Sequence, residues 1–378
     1  MRILFVGEYS RLHNSLKEGL ITLGHTVTII ANGDGFKNYP VDLSTKARWS
    51  ESKLGNIPRQ IIFRLTNFDI SKIEHGIRFY LHLNECKNFD VVQLINESPI
   101  QTLPFMERFL LKKIFKRNKK TYLLCCGVDY TIAKYMIQKT PRYSIMNPYF
   151  ENPKLIPEYR YILDYLKPSK QKTHQLVYNN IKGVIASDLD YYLPLLNHPK
   201  FLGLVPNPIS IKDKNHLKTE NNSPIIIFLG INRGTYNKKG IQYFEKALNI
   251  IEHQFPSKVK IITVEDIPYQ EYITLYDQAH ILLDQVYAYD QGYNALEAMA
   301  KGKVVFTGAE SEFMERYNLT ERVAINALPD TNYLVNKLSF LIENPEEITA
   351  IGKRARAFIE KEHDYIKIAE RYLEVWKN

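Results

Sequence analysis

A chain of 378 residues has room for two domains of ordinary size, each with its own core. With 45% apolar and 24% charged residues it reads as a folded globular protein, and extended disorder is excluded. A formal charge of +9 points to an anionic partner: nucleic acid, a membrane surface or a phosphorylated small molecule. No aromatic RNA-binding strand or Cys/His finger occurs, so no nucleic-acid partner is expected.

The start, MRILFVGEYSRLH, has too short an apolar run, broken by Glu8 and Arg11, to read as a secretory signal, and no stretch resembles a membrane span. Cys86, Cys125 and Cys126 lack metal-ligand spacing and form no disulfide framework. The expectation is a cytoplasmic protein without a metal site.

In chain order, RILFVGE (2–8), TVTIIANG (26–33) and DVVQLIN (90–96) read as buried parallel strands. Between the first two, Leu16, Leu20 and Leu23 recur at helical spacing and Gly24 suits the helix stop, which makes a βαβ unit. KTYLLCCGV (120–128) and GVIASD (183–188) continue a doubly wound sheet. GLVPNPISIKDKNHLKTENNSP (203–224), with three prolines among polar residues, reads as an interdomain linker. A second alternation follows: strands at 225–230, 259–265, 281–286 and 303–308, and helices over about 241–253, 270–278 and 294–300. From about Glu346 the chain is predicted helical to its end. The fold class is α/β, with two Rossmann-like halves.

Two places are suited to phosphate. FLGINRGTYNKKGIQYF (228–244) sets Gly230, Arg233, Lys238, Lys239 and Gly240 after a strand and before a helix, where open α/β sheets bind anions. It is neither a Walker loop nor a dinucleotide fingerprint. In AYDQGYNALEAMAKGK (288–303), Gly292 can adopt a backbone conformation closed to other residues, and the amides of Tyr293, Asn294 and Ala295 open a helix. Glu297, about one turn in, either accepts hydrogen bonds from vicinal hydroxyls or merely complements the helix dipole.

These motifs in this order, Arg233, Lys239-Gly240, DIPYQEYITLYDQAHILLDQ (266–285) and GYNALEAMAKGKVVFTG (292–308), resemble the donor half of GT-B glycosyltransferases, and most closely the retaining group 1, or family four. The resemblance is strong over 225–308 and loose elsewhere. It implies two facing Rossmann-like domains, 1–206 and 225–361, a linker at 207–224, and a crossover helix at 362–378 returning to the first domain. It implies sugar transfer from a nucleotide-diphosphate donor, a UDP- or GDP-sugar as co-substrate, to a glycan or lipid-linked hydroxyl acceptor, with no metal and no permanently bound cofactor. Arg233 and Lys239 would bind the diphosphate and stabilise the leaving group. Glu297 would hold the ribose, with Ile267 and Pro268 by the base, and the donor's own phosphate would help deprotonate the acceptor.

The sequence also departs from the family. Relatives often carry a first acid eight positions before Glu297; here it is Tyr289, with Asp290 as the neighbouring substitute. A histidine common in relatives falls on Cys126 or Gly127, leaving Asp129, and after it Glu97, as candidate catalytic acids or plain loop caps. In the first loop Glu8, Arg11, His13 and Asn14 take the place where relatives meet acceptor or diphosphate, and Arg11 and His13 are the candidates near phosphate.

Residues 105–122 read as a basic amphipathic helix, which either lies peripherally on the anionic inner face of a membrane or packs on the sheet with solvated lysines. The stretch 130–180, dense in Tyr, Lys and Pro, reads as an acceptor-side insertion. Rival readings are a nucleotide-sugar epimerase on the same fold and a non-catalytic nucleotide- or glycan-binding subunit.

Overall fold

The computed structural model describes residues 1–66, 68–211 and 224–377, so 212–223 of the expected linker lie outside the described residues. Short apolar runs form the strands, and the strands form two parallel sheets. The first sheet holds β1 (Arg2–Val6), β2 (Thr26–Ala31), β3 (Leu43–Ser44), β4 (Val91–Leu94), β5 (Lys120–Cys125), β6 (Gly183–Ala186) and β7 (Phe201–Leu204), in the order β3-β2-β1-β4-β5-β6-β7. The second holds β8 (Ile225–Ile231), β9 (Val259–Glu265), β10 (Ile281–Leu283), β11 (Val304–Thr307) and β12 (Ile325–Asn326), in the order β12-β11-β10-β8-β9.

Strand order reverses between β1 and β4 in the first sheet and between β8 and β10 in the second. Loops leaving such neighbouring strands on opposite faces splay apart and open a crevice at the carboxyl ends. The site is therefore expected after β8 and β10, facing the loops after β1 and β4.

Strands β3, β7 and β12 were not expected from the sequence. Two of them are only two residues long, and β7, in the stretch expected to open the linker, is an edge strand of four residues with three not fully buried. Such strands carry too little periodic signal.

The C-terminal segment is helical as expected, but in two pieces, Pro345–Glu362 and Tyr365–Lys377, broken at His363 and Asp364. The break lies where the chain crosses back. His363 Nδ1 donates to Asn207 O, and Ile209 N–H donates to His363 O at 2.7 Å. The last helix then packs on helix Leu12–Thr22 so closely that a Cβ on Gly19 would sit 2.3 Å from Tyr365 O. The side chain of Trp376 packs against Phe5, Tyr122 and Tyr372 of the first core.

The basic segment at 105–122 is a helix only over Pro104–Arg117; Lys119 and Lys120 belong to the turn and β5. Leu110, Leu111 and Ile114 are buried in the core, so the apolar face that remains outside is Phe105 and Phe109. Among the described residues no helix is long and apolar enough to cross a membrane.

Candidate functional site

The β8–β10 pairing, Leu229 opposite Leu283, brings the 232–240 and 284–292 loops together. Val286 N–H donates to Lys239 O, and Gly240 makes the approach possible: its φ is 66°, and a Cβ would lie 2.3 Å from Val286 Cγ2. The turn aims Lys239 at the carboxyl end of β10, where its Nζ meets Asp284 Oδ1 at 2.8 Å. Asp284 is buried and also receives Thr307 Oγ1 at 3.4 Å and Asn294 Nδ2 at 3.5 Å. A half-buried ammonium thus stands beside the start of helix Tyr293–Ala300.

The amides of Tyr293, Asn294 and Ala295 precede the first helical bond, Leu296 N–H to Gly292 O, and have no acceptor among the described residues; such donors attract an anion. Gly292 corrects the sequence reading. Its φ of −73° and ψ of 169° are open to any residue. A Cβ there would have only Gln285 Nε2 within 4 Å, at 3.8 Å, so neither backbone nor packing requires glycine at this position.

Arg233 does not join this group. It is exposed and forms a two-pronged pair with Glu265 at the end of β9, 2.6 Å from Nε, with its guanidinium over the Tyr236 ring. That places it beside the 266–268 loop, where Ile267 is half-buried between β9 and the following helix.

Glu297 lies on the same face of its helix as Tyr293, whose hydroxyl reaches Ser15 Oγ at 2.8 Å and Pro208 O across the domain seam. Burial raises the Glu297 carboxyl, with Arg11, Lys301 and Lys37 opposing. Arg11 and Glu297 line one cavity of about 260 Å³ with Ser210, Tyr276, Lys301 and Arg356. Arg11 sits at φ 68° and pairs with Glu18 at 2.8 Å.

The chain is similar along its whole length to solved structures of known proteins. A sucrose-phosphate synthase of Thermosynechococcus elongatus matches with a TM-score of 0.61 at 15% identity, covering 100% of this chain and 98% of that one. HepE of Anabaena, in complex with UDP and glucose, matches at 0.58 and 12%, covering 100% and 99%. The UDP-GlcNAc 2-epimerase of Neisseria meningitidis, bound to UDP-GlcNAc, matches at 0.53 and 13%, covering 100% of both. The chain has the GT-B fold. Residues 237–374 also match the family model described as Glycosyl transferase-like. No curated protein sequence matches the chain.

In the GT-B cleft the departures from the resemblance acquire a structural role. Tyr289, at the position where the resemblance led to the expectation of an acid, is buried; its hydroxyl accepts Arg142 N–H at 2.9 Å and the Arg142 guanidinium lies over its ring. Arg142 goes on to Glu310 and Glu312, each at 2.9 Å from Nη2, and the Tyr143 hydroxyl bonds Glu310. The acids trade places across the seam. Asp190, after β6, accepts Tyr289 N–H at 3.2 Å, while Asp290 of the second domain accepts Leu189 N–H at 3.2 Å.

With Asp188, these acids line a cavity of about 200 Å³ walled by Tyr135, Tyr143, Tyr287 and Tyr289. Gln291 also lines it, and its buried Oε1 has no hydrogen-bond partner among the described residues. Asp188, Asp190, Arg142 and Glu310 escaped the sequence reading, since nothing in their local patterns marks a seam.

Asp129 and Glu97 lie together but deep. Asp129 has no exposed surface; it caps helix Tyr130–Ile137 by accepting Ile132 N–H and takes the Cys125 thiol at 3.2 Å. Glu97 Oε1 is 2.6 Å from His174 Nδ1. Burial raises Glu97 to about 8 and lowers His174, so both favour the neutral pair with one proton between them. His13 is likewise internal: its ring stacks on Phe5, bonds Gly7 O and Gln93, and burial lowers it to about 3. These two contacts occupy both ring nitrogens, which leaves neither for a phosphate. Glu8 is raised to about 7 by burial, with Asn14 on one oxygen and no partner on Oε1 among the described residues.

A pH dependence follows. Burial raises Glu97 to about 8, Glu107 and Asp190 to about 7, and Asp290 to about 6, all above their unfolded values near 4. At these carboxyls the fold holds more protons than the unfolded chain, so their contribution is full below about pH 4 and is lost as pH rises through the folded values, whereas buried His13 and His363, lowered to about 3 and about 4, act in the opposite sense. The carboxyl part is read as the difference in melting temperature between the parent and Glu97→Gln across pH 5 to 8, since each tenfold gain in a carboxylate's proton affinity on folding is worth about 1.4 kcal/mol. The parent's advantage over Glu97→Gln should shrink as pH rises from 5 to 8; an advantage that grows with pH would contradict the burial argument.

Proposed function

We propose that this GT-B chain transfers a sugar from a nucleotide-diphosphate donor to a hydroxyl acceptor on a glycan or lipid-linked glycan. The observation that carries the reading is Lys239 standing beside the open start of helix Tyr293–Ala300 at the β8–β10 switch, with Glu297 one turn along the same helix. A diphosphate seated on the free amides would draw Lys239 from Asp284 and Arg233 from Glu265, and both cations would face the charge that develops as the glycosidic bond breaks. Glu297 would then read the ribose, with Ile267 by the base. The positive charge comes from the chain, so turnover should survive EDTA.

The tyrosine-walled cavity next to Gly292 has the size and position for the donor sugar, and the unpartnered Gln291 Oε1 would accept one of its hydroxyls. The departing phosphate would take the acceptor proton, giving retention of configuration. Asp129 and Glu97, deep beneath the acceptor side, would hold that wall of the cleft rather than touch the sugar.

UDP-, GDP- and ADP-sugars should be compared by thermal shift, since a ligand of the folded state raises the melting temperature, and then assayed with glycan and lipid-linked acceptors. Donor binding without turnover across the panel would favour a binding subunit. Glu297→Gln should raise the donor KM roughly tenfold, about 1.4 kcal/mol, with kcat little changed. An effect confined to acceptor kinetics would contradict a ribose role.

A second reading, epimerisation of the nucleotide sugar, is favoured by one feature. Asp190 and Asp290, raised by burial to about 7 and about 6, border the proposed sugar cavity and could exchange protons there near neutrality. Donor incubated alone separates the two, because free epimer without transfer would overturn the transferase.

A further inference from the structure

The chain's exposed apolar side chains are concentrated in one region. Trp49, Leu54, Ile57, Ile61, Phe63 and Leu65 are all exposed, and helix Asn56–Thr66 has no buried residue at all. Ile57, Ile61 and Leu65 recur every fourth residue and share one face. Helix Ser71–Leu81 also leaves Ile77, Tyr80 and Leu81 exposed, and the Tyr80 ring stacks on the exposed Phe109 of helix Pro104–Arg117. Large apolar side chains left exposed in such number within one segment mark an interaction site.

Charge selects the partner. Residues 46–81 carry seven Lys and Arg against three acids, Glu51, Asp69 and Glu74. The acids are engaged by partners within the protein. Glu74 accepts the N–H groups of Arg48, Trp49 and Ser50 and pairs with Arg78; Asp69 and Glu51 hold Arg59. Those same bonds fasten the Trp49 turn and helix Asn56–Thr66 to the fold, so the helix is presented without being covered. What faces outward beside the apolar side chains is Lys53, Arg64, Lys112 and Lys116, all exposed, and none ion-paired among the described residues.

We propose that this surface, centred on Trp49 and helix Asn56–Thr66, docks the chain on an anionic lipid bilayer. The Ile57–Ile61–Leu65 face and Trp49 enter the headgroup–acyl boundary and the flanking cations meet lipid phosphates. The bulk of the amphipathic signal at 105–122 is internal, and that helix contributes only Phe105, Phe109 and its outer lysines to the rim. Docking stands independently of the transfer reaction, since it uses none of the residues in the cleft.

The two tryptophans provide the test. Trp49 is 66% exposed and Trp376 is 2% exposed, so a lipid-dependent change in emission reports Trp49. The full chain should float with vesicles of phosphatidylcholine and phosphatidylglycerol in equal parts, with a blue-shifted emission that brominated lipid quenches and that Trp49→Phe abolishes. Phosphatidylcholine alone, or high salt, should weaken binding. The Ile57→Ser, Ile61→Ser, Leu65→Ser variant removes no buried contact and should keep its melting temperature while losing roughly tenfold or more in vesicle affinity. Phe340→Ser, exposed on the second domain, should change nothing. The proposal is overturned if the chain neither floats nor shifts its emission on anionic vesicles, or if the triple variant binds them as well as the parent. It is also overturned if the patch instead holds a dimer that the triple variant dissociates without any vesicle binding.

Discussion

Lys239→Ala is expected to lower kcat roughly a hundred- to a thousandfold, about 3–4 kcal/mol, the size of loss seen when one preorganised charge-stabilising donor is removed. The expectation rests on where the ammonium is held. Gly240 and the Val286 N–H bond to Lys239 O fix the turn, so the Nζ stands at the carboxyl end of β10 next to the helix start. The substitution also leaves buried Asp284 without its cation, which is destabilising in its own right. A double variant, Lys239→Ala with Asp284→Asn, separates the two effects. It should recover melting temperature without recovering turnover, because the pair couples in stability and only the lysine would face the leaving group of the proposed reaction. Steady-state kinetics with a donor found by thermal shift would decide it, and unchanged kcat in Lys239→Ala would reject the leaving-group role.

The second large effect concerns the crossover. Trp376→Ala is expected to destabilise the chain by about 3–5 kcal/mol, the range for deleting a large buried aromatic. The indole lies 6.3 Å from Phe5, 6.5 Å from Tyr122 and 5.4 Å from Tyr372, and its backbone carbonyl accepts the Tyr122 hydroxyl at 3.1 Å. Helix Tyr365–Lys377 closes the first domain's core, so its loosening should appear both as a lower melting temperature and as faster proteolysis of the last helix. A chain of two sheets need not unfold in one step, so the first transition is the one to follow. If neither measurement moves, the returning helix does not hold the first domain.

The strands that carry the fold were legible because each is a short, uninterrupted apolar run between polar loops, and β1, β2, β4, β5, β8 and β9 lie where such runs occur. The donor-side candidates were legible for a related reason. Arg233, Lys239, Gly292 and Glu297 sit at strand ends and at a helix start, positions whose chemistry follows from backbone direction alone. Gly292 shows the limit of that logic, since glycine was expected there for its backbone freedom and its φ of −73° is open to any residue.

Asp284 marks another limit. It was visible at the end of ILLDQ, but its tie to Lys239 follows from β8 and β10 being neighbours, a pairing between residues 45 apart in sequence. His13, Asp129 and Glu97 are all polar residues after strands, the pattern of a catalytic loop, yet packing buries each and shifts its proton affinity. Burial is a property of what the rest of the chain places on top, and no local pattern encodes it.

By itself, then, the sequence determined the alternation of strand and helix, the two halves and the placing of the candidate phosphate loops after β8 and before helix Tyr293–Ala300, because period, glycine and charge act over a few residues. The tertiary structure alone decided the seam of Tyr289, Arg142, Asp190 and Asp290, the burial of the first-domain acids and histidine, and the uncovered helix Asn56–Thr66. Those depend on contacts between segments far apart in the chain, where the balance of desolvation, pairing and packing is set by neighbours the local sequence does not name.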